Sequence, residues 1–152
     1  MVNVKSKYIS IGGNTLANIG SEMPSTAYQN EVVNPVTTNT TDNKTEYTAK
    51  IGLMYASDYG FAAAPSAWTL TMDSYDNTTA KSTNWMYMGL YEWTISRRAD
   101  RSNIAFDVLR GGLLGGSDML SDASGVRPSF NLLSSITYVS GSGSASDPMV
   151  IN

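Results

Sequence analysis

The residues that could carry chemistry in this chain are carboxylates, arginines, hydroxyls and amides, because it contains no cysteine and no histidine. Without cysteine there are no disulfides, thiolate nucleophiles or cysteine-ligated metals. Without histidine the usual general base, the imidazole metal ligand and any Ser-His-Asp triad are also excluded. Aspartate and glutamate occur, but the sequence places no pair of them across a cleft. The residue types therefore favour binding over catalysis, and we expect neither an enzyme nor a cofactor.

The most unusual stretch is residues 97–124. All five arginines lie at or after position 97, all five lysines lie before position 82, and the stretch has no Lys, Glu, Gln or Trp. Its leucines stand among Gly and Ser with no helical or strand pattern that would bury them all. Apolar side chains ringed by charge are what a protein-binding patch needs. The candidate ligand-binding residues are Arg98, Asp100, Arg101, Asp107, Leu109, Arg110, Leu114, Ser117, Asp118, Leu120 and Asp122. A small satellite core beneath the loop is the alternative, and it stays open.

A weak calcium site is conceivable at Asp73, Asp76 and Asn77, which offer hard oxygen ligands. Their spacing matches no EF-hand, so an ordinary solvated turn is the favoured interpretation and no metal site is predicted.

One arginine and two tryptophans have simpler structural interpretations. Arg127, just before a proline, is predicted to form a buried charge-assisted bond to a carboxylate or a backbone carbonyl. Trp85 and Trp93 are predicted to lie in the core, each with a partner for its indole N–H. An aromatic platform for sugars is the alternative for the tryptophans.

The composition indicates one β-rich domain over residues 1–152. At this length roughly 70% of the unfolded chain's surface can be buried. Charged residues are only 15%, the net charge is −3, and Ser, Thr, Asn and Gly make up 60 of the 152 residues. An acidic, lightly charged chain is not expected to bind nucleic acid, and no apolar run approaches the ~20 residues of a membrane span. Such a surface is common on secreted modules, although the first residues lack the apolar core of a signal peptide.

Short strands separated by long loops must position these residues. Residues 60–64, after Ser57 and Asp58, are predicted to form a helical turn that Pro65 ends, and 14–48 and 73–83 are predicted to be polar loops. In the strand at 104–109, Ile104, Phe106 and Val108 should face the core while Asp107 and Leu109 face out. Strands are predicted at 2–11, 51–55, 68–72, 91–95, 104–109, 126–132, 136–139 and 148–151.

Five ordered segments carry a family resemblance: IGLMYASDYGFAAAPSAW (51–68), NWMYMGLYEWTIS (84–96), IAFDVL (104–109), GVRPSFNL (125–132) and SGSGSASDPMVI (140–151). Together they resemble a C-type-lectin-like domain of bacterial surface proteins. GVRP also resembles the "G-F-R" signature of formylglycine-generating-type C-type-lectin folds, a superfamily that includes the variable proteins of diversity-generating retroelements.

The resemblance implies a C-type-lectin-like α+β fold. Its features would be a short mixed or antiparallel sheet, long loops, one or two short helices, and paired N- and C-terminal strands. Residues 51–96 and 125–151 would be the scaffold, and 97–124 the variable binding segment. The composition of 97–124 is compatible with adenine-directed mutagenesis of Asn-type codons, which cannot produce Lys, Glu, Gln or Trp but does produce Arg, Asp, Gly, Ser, Leu, Ala and Val. Chance in a chain poor in Glu and Gln is an equally open explanation.

The leading hypothesis is thus a non-enzymatic variable protein, at a bacterial cell or phage surface, that binds a protein or cell-surface ligand without inserting into a membrane. The alternative is a structural surface subunit, pilin-like or adhesin-like, with no hypervariable site.

Overall fold

A computed structural model of the chain describes residues 4–8, 10–11, 21–33, 45–49, 51–98, 104–115, 123–130, 132–144 and 146–152, with the backbone alone in 4–8, 10–11, 45–49 and 97–98. In this part of the chain the α-helices are short: α1 (Pro24–Tyr28), α2 (Ala56–Phe61) and α3 (Thr78–Thr83). A π-helical turn, Gln29–Val33, extends α1, and two 3-10 turns, Pro65–Ala67 and Met72–Ser74, lie between α2 and α3.

The strands are equally short, and most of them form two-stranded ribbons. The strands are β1 (Val4–Tyr8), β2 (Ser10–Ile11), β3 (Thr45–Ala49), β4 (Gly52–Leu53), β5 (Glu92–Arg98), β6 (Ala105–Val108), β7 (Leu114–Gly115), β8 (Pro128–Ser129), β9 (Tyr138–Ser140) and β10 (Val150–Ile151). A four-stranded sheet has the order β2-β5-β6-β7, with β2 parallel to β5 and the other pairs antiparallel.

The ribbons pair β1 with β3, β4 with β8, and β9 with β10, all antiparallel. Among the described residues, the first and last strands therefore pair with partners other than each other, which differs from the terminal pairing implied by the resemblance. Mixed helices and small sheets make this a small α+β fold.

The core lies between α2, the two 3-10 turns and β6. Tyr59, Tyr75 and Phe106 are its largest fully buried side chains, and alanines fill the space around them. Helix α2 passes so close to α1 that a Cβ on Gly60 would lie 2.7 Å from both the Pro24 ring and the Met72 sulfur. Only glycine fits this helix crossing, which explains a residue that otherwise weakens a helix.

Several predicted elements are confirmed. Ile104, Phe106 and Val108 are buried, and β4 lies within the predicted strand at 51–55. The closing strands at 136–139 and 148–151 correspond to the β9–β10 ribbon, although each is shorter than predicted.

Three other predictions are wrong because the chain forms a helix or a helical turn where a strand or a loop is expected. The half-buried strand at 68–72 is absent because the chain there forms 3-10 turns on either side of Leu70, and the polar loop at 73–83 contains α3. The loop at 14–48 contains α1, whose Ala27 is fully buried. The described residues contain three α-helices, where one or two were expected.

Candidate ligand-binding surface

The described part of the segment 97–124 centres on a tight turn between β6 and β7. The Leu109 amide donates to the Leu113 carbonyl over 2.9 Å, and the Gly112 amide donates to the Leu109 carbonyl over 2.8 Å. Gly112 has φ of +95°, a conformation that side-chain-bearing residues rarely adopt. The turn therefore directs Arg110 into solvent.

Two tyrosines hold this turn in place. The hydroxyl of the buried Tyr59 donates to the Gly112 carbonyl over 2.6 Å, and the Tyr87 hydroxyl donates to the Arg110 carbonyl over 2.8 Å. Since each bond fixes the backbone, the Arg110 side chain extends from a rigid base.

Cations and aromatic rings alternate beside the turn. The Arg110 guanidinium lies 5.5 Å from the centre of the Tyr91 ring, and the Lys81 ammonium lies 5.6 Å from the centre of the Tyr87 ring. Both distances are within the range of cation–π attraction. We call this cluster of Lys81, Tyr87, Tyr91 and Arg110 the turn patch.

An ion pair below the turn patch fixes the start of β5. The Arg127 guanidinium donates to both carboxylate oxygens of Glu92, at 2.6 and 3.2 Å, and to the Met86 carbonyl at 2.5 Å. The Glu92 side chain is buried and that of Arg127 mostly so. The predicted structural role of Arg127 is confirmed, since it joins a carboxylate and a carbonyl to the segment just before β8.

A groove is lined in part by Trp85 and Met86, which precede Tyr87 of the turn patch in the chain. Its volume is about 340 Å³. Trp85 and Phe130 form its rim, with 78% and 65% of their surfaces exposed, whereas Met54, Ala62 and Met86 are buried at its base. Phe61, Asp58 and Ser129 complete the lining. We call this the Trp85 groove.

Trp85 corrects a prediction. It was expected in the core, but it is the most exposed large apolar residue in the described part of the chain. The reason is local: Trp85 follows Asn84, whose side chain is buried and whose amide donates to the Tyr59 carbonyl over 2.9 Å, so the polar residue occupies the interior position. Trp93 is only partly buried, so its predicted place in the core is confirmed only in part.

Asp58 is the charged residue of the groove. Its Oδ2 accepts a hydrogen bond of 2.8 Å from the Tyr55 amide at the start of α2. Burial raises the pKa of this carboxyl above its usual value, and the hydrogen bond only partly offsets this rise. The residue as a whole is exposed, so its carboxylate remains accessible from solvent.

A second carboxyl is buried completely at the N-terminal end of α2. Glu31 Oε2 accepts from the Ser57 amide over 3.0 Å, Oε1 accepts from the Ser96 hydroxyl, and that hydroxyl accepts from the Ala56 amide over 3.0 Å. Burial raises the pKa of Glu31 to about 7, and the neighbouring Asp58 adds to the rise. Because Glu31 satisfies helix amides and has no contact with solvent, its arrangement is that of a structural group.

The structure brings only some of the predicted binding residues to the surface. Arg110 is exposed and Leu109 partly so, but Leu114 and Asp107 are buried. The expectation that Asp107 faces out is wrong, because all four residues of β6 are buried and both faces of the strand are therefore covered. The backbone of Arg98 ends β5. Asp100, Arg101, Ser117, Asp118, Leu120 and Asp122 lie outside the described residues.

Two of the three residues considered for calcium, Asp73 and Asn77, form local hydrogen bonds. Asp73 accepts hydrogen bonds from the Thr71 and Ser21 hydroxyls at 2.5 and 3.2 Å. Asn77 Oδ1 accepts from the Thr79 amide over 2.9 Å and so caps α3. Among the described residues no group of three or more acidic side chains could hold a metal ion.

No family model, curated protein or solved structure matches this chain. In the described part of the chain, no helix combines the length and the apolar character needed to cross a membrane.

Proposed function

We propose that this chain is a non-enzymatic ligand-binding protein with a C-type-lectin-like fold. Residues 97–124 bind a protein or cell-surface ligand, and 51–96 and 125–151 display them at the surface of a cell or phage. The observation that carries the proposal is the turn at 109–113: its backbone is fixed by Tyr59 and Tyr87, while Arg110 reaches into solvent beside Tyr91.

A rigid base and an exposed guanidinium on an aromatic ring make a good contact site. Preorganisation lowers the entropy lost on binding, and Arg and Tyr are enriched among the residues that dominate binding energy. Met88 and Leu90 on the adjoining segment are exposed. Val126 is exposed as well, and it follows Gly125, whose amide donates to the Tyr91 carbonyl. The turn patch is thus bordered by apolar surface that a partner could cover.

In its stronger form, the proposal is that a diversity-generating retroelement varies this segment. The described residues then divide into two groups. Ile104, Phe106, Val108 and Leu114 are buried and must stay fixed for the sheet to form, whereas Arg110 can change freely. A mechanism that varied the buried positions as often as the exposed ones would destroy its own scaffold.

Deep sequencing of the gene across a population of its host tests this form. We expect substitutions at adenine-containing codons within 97–124, frequent at Arg110 and absent at Phe106 and Val108. Even variation along the chain, or variation that ignores burial, contradicts it and leaves an ordinary binding module.

A structural surface subunit is the second candidate, favoured by the β9–β10 ribbon. Both strands of this ribbon are exposed, and they present Tyr138, Val139, Val150 and Ile151 to solvent. An isolated two-stranded ribbon with apolar side chains is a surface that a neighbouring copy could cover. Concentration-dependent assembly in sedimentation velocity, abolished by Val139→Thr with Val150→Thr but not by Arg110→Ala, would favour this candidate.

A further inference from the structure

The Trp85 groove lies outside the segment 97–124 and has a chemistry of its own. Its rim is aromatic, its base is formed by methionine and alanine, and its volume of about 340 Å³ is near the lower end of the range for small-ligand sites. A cavity of this size suits one long side chain or a small molecule rather than a flat protein surface.

The charge in the groove selects the kind of ligand. Asp58 is the ionisable residue of its lining, and among the described residues no lysine or arginine pairs with it. Asp58 is exposed within a lining that is otherwise mostly apolar, so its carboxylate is open to a cation that enters the groove. The net charge of −3 favours the approach of cations and opposes that of anions.

The aromatic and apolar lining restricts the ligand further. Exposed aromatic faces attract cations by cation–π interaction, and the buried side chains of Met54 and Met86 offer an apolar surface for an alkyl chain. A neutral sugar would require several hydrogen-bonding partners, whereas the lining offers only the Asp58 carboxylate, the Ser129 hydroxyl and the Trp85 indole N–H. The side chains of lysine and arginine combine an alkyl stem with a cationic head.

We propose that the Trp85 groove binds a lysine or arginine side chain of a partner polypeptide, with the alkyl stem between Trp85 and Phe130 and the cationic head at Asp58. This site belongs to the scaffold, so it would add to contacts made by 97–124 and would keep its ligand when that segment changes.

The test is an NMR titration of the full chain that follows the indole N–H of Trp85. The probes are N-acetyl-lysine methylamide and its arginine counterpart, with N-acetyl-norleucine methylamide as the uncharged control. We expect saturable shifts of the Trp85 signal with both cations and weak or no shifts with norleucine. The Trp93 indole, outside the groove lining, serves as the internal reference.

Two variants assign the binding energy to the groove. Asp58→Asn retains an oxygen acceptor for the Tyr55 amide, so the helix start is preserved while the charge is removed. We expect it to weaken binding of the cations about tenfold, and Trp85→Ala, at an exposed position, to weaken it similarly. Asp147→Asn removes a carboxylate from the distant β9–β10 turn and should leave binding unchanged.

Three results would overturn the proposal: equal binding of norleucine, unchanged affinity in Asp58→Asn, or Trp85 shifts with neutral monosaccharides but not with the cations. Each of these concerns the groove alone. Variation or binding at 97–124 is measured independently, so a failure here is distinguishable from a failure of the proposed function.

Discussion

The buried Glu31 should make this protein less stable as the pH rises from acidic to neutral. In the folded protein its pKa is raised from the usual 4.5 to about 7 by burial. Between these values the folded protein keeps a proton that the unfolded chain has released, so the unfolded state binds fewer protons. The free energy of unfolding therefore falls with increasing pH across this window and levels off on either side.

The size of the effect follows from the two pKa values. One pKa unit corresponds to about 1.4 kcal/mol, so Glu31 should cost about 3 kcal/mol between about pH 4.5 and about pH 7. Burial also raises the pKa values of Glu22 and Asp58, which gives contributions of the same sign. The chain has no histidine, so no imidazole titration obscures this window.

Urea unfolding at a series of pH values between about 5 and about 8 measures the slope directly. We expect Glu31→Gln to remove most of it: the variant should be slightly less stable than the native protein at the acidic end and more stable at the neutral end. The amide keeps one acceptor for the Ser57 amide or the Ser96 hydroxyl, while its own hydrogens lack a defined partner, which explains the small loss at low pH.

Glu22→Gln is the matched control, because Glu22 lies just before α1, whose π-helical extension carries Glu31, and its carboxylate accepts hydrogen bonds from the amide group of Asn30. It should change the slope less than Glu31→Gln, since the Glu22 side chain is less completely buried. If Glu31→Gln retained the native slope, or if native stability increased between about pH 5 and about pH 7, the reasoning would be refuted.

Three further substitutions test the packing and the polar contacts by urea unfolding. Gly60→Ala should destabilise the protein by about 2 kcal/mol, because its Cβ would meet the neighbouring side chains at 2.7 Å; a gain in stability, as helix propensity alone predicts, would contradict the close crossing. Arg127→Ala should cost about 2 kcal/mol by leaving the buried Glu92 unpaired, and Arg127→Met with Glu92→Met should recover part of that loss; equal instability of the two would argue against an ion-pair origin. Asn77→Ala should cost about 1 kcal/mol through loss of the α3 cap, whereas Asn77→Asp should be neutral, and identical effects of both would rule out capping.

Burial is predicted best from the sequence where an apolar pattern fits only one kind of secondary structure. Alternation at Ile104, Phe106 and Val108 identified buried residues of β6 correctly. The same reasoning failed for the opposite face, since Asp107 is buried too. A strand covered on both faces cannot be recognised from alternation alone, because alternation is a property of strands with one face in solvent.

Helices α1 and α3 are not predicted because they are too short to show a period, and the helical turn predicted at 60–64 overlaps only the end of α2. Helix α3 has six residues and a single buried one, Ala80, so its sequence resembles a polar loop. The one available signal was Asn77, which caps it, but capping residues are equally common in turns. At 68–72 an apolar residue at every second position suggested a strand, yet two 3-10 turns bury Ala67 and Met72.

The Trp85 groove could not be found from the sequence for a different reason. Its lining comes from α2, the segment 85–86 and the end of β8, and nothing local relates these parts of the chain. Trp85 was assigned to the core because large aromatic residues usually lie there. The structure shows the reverse arrangement, since the polar Asn84 is buried and the aromatic Trp85 is exposed.

Strand β5 buries three polar side chains, and each of them has a hydrogen-bonding partner in another part of the molecule. Glu92, Thr94 and Ser96 are all buried, and each bonds to a different part of the molecule: Glu92 to Arg127, Thr94 to the Phe106 carbonyl, and Ser96 to Glu31. Apolar side chains could fill the same space in more than one register, whereas hydrogen-bonding partners fit in only one. Loss of any one bond would leave a buried polar group unsatisfied, so this strand has few alternative pairings of similar energy. These polar contacts hold β5 in its register, and Tyr91, the residue before β5, lies 5.5 Å from the Arg110 guanidinium.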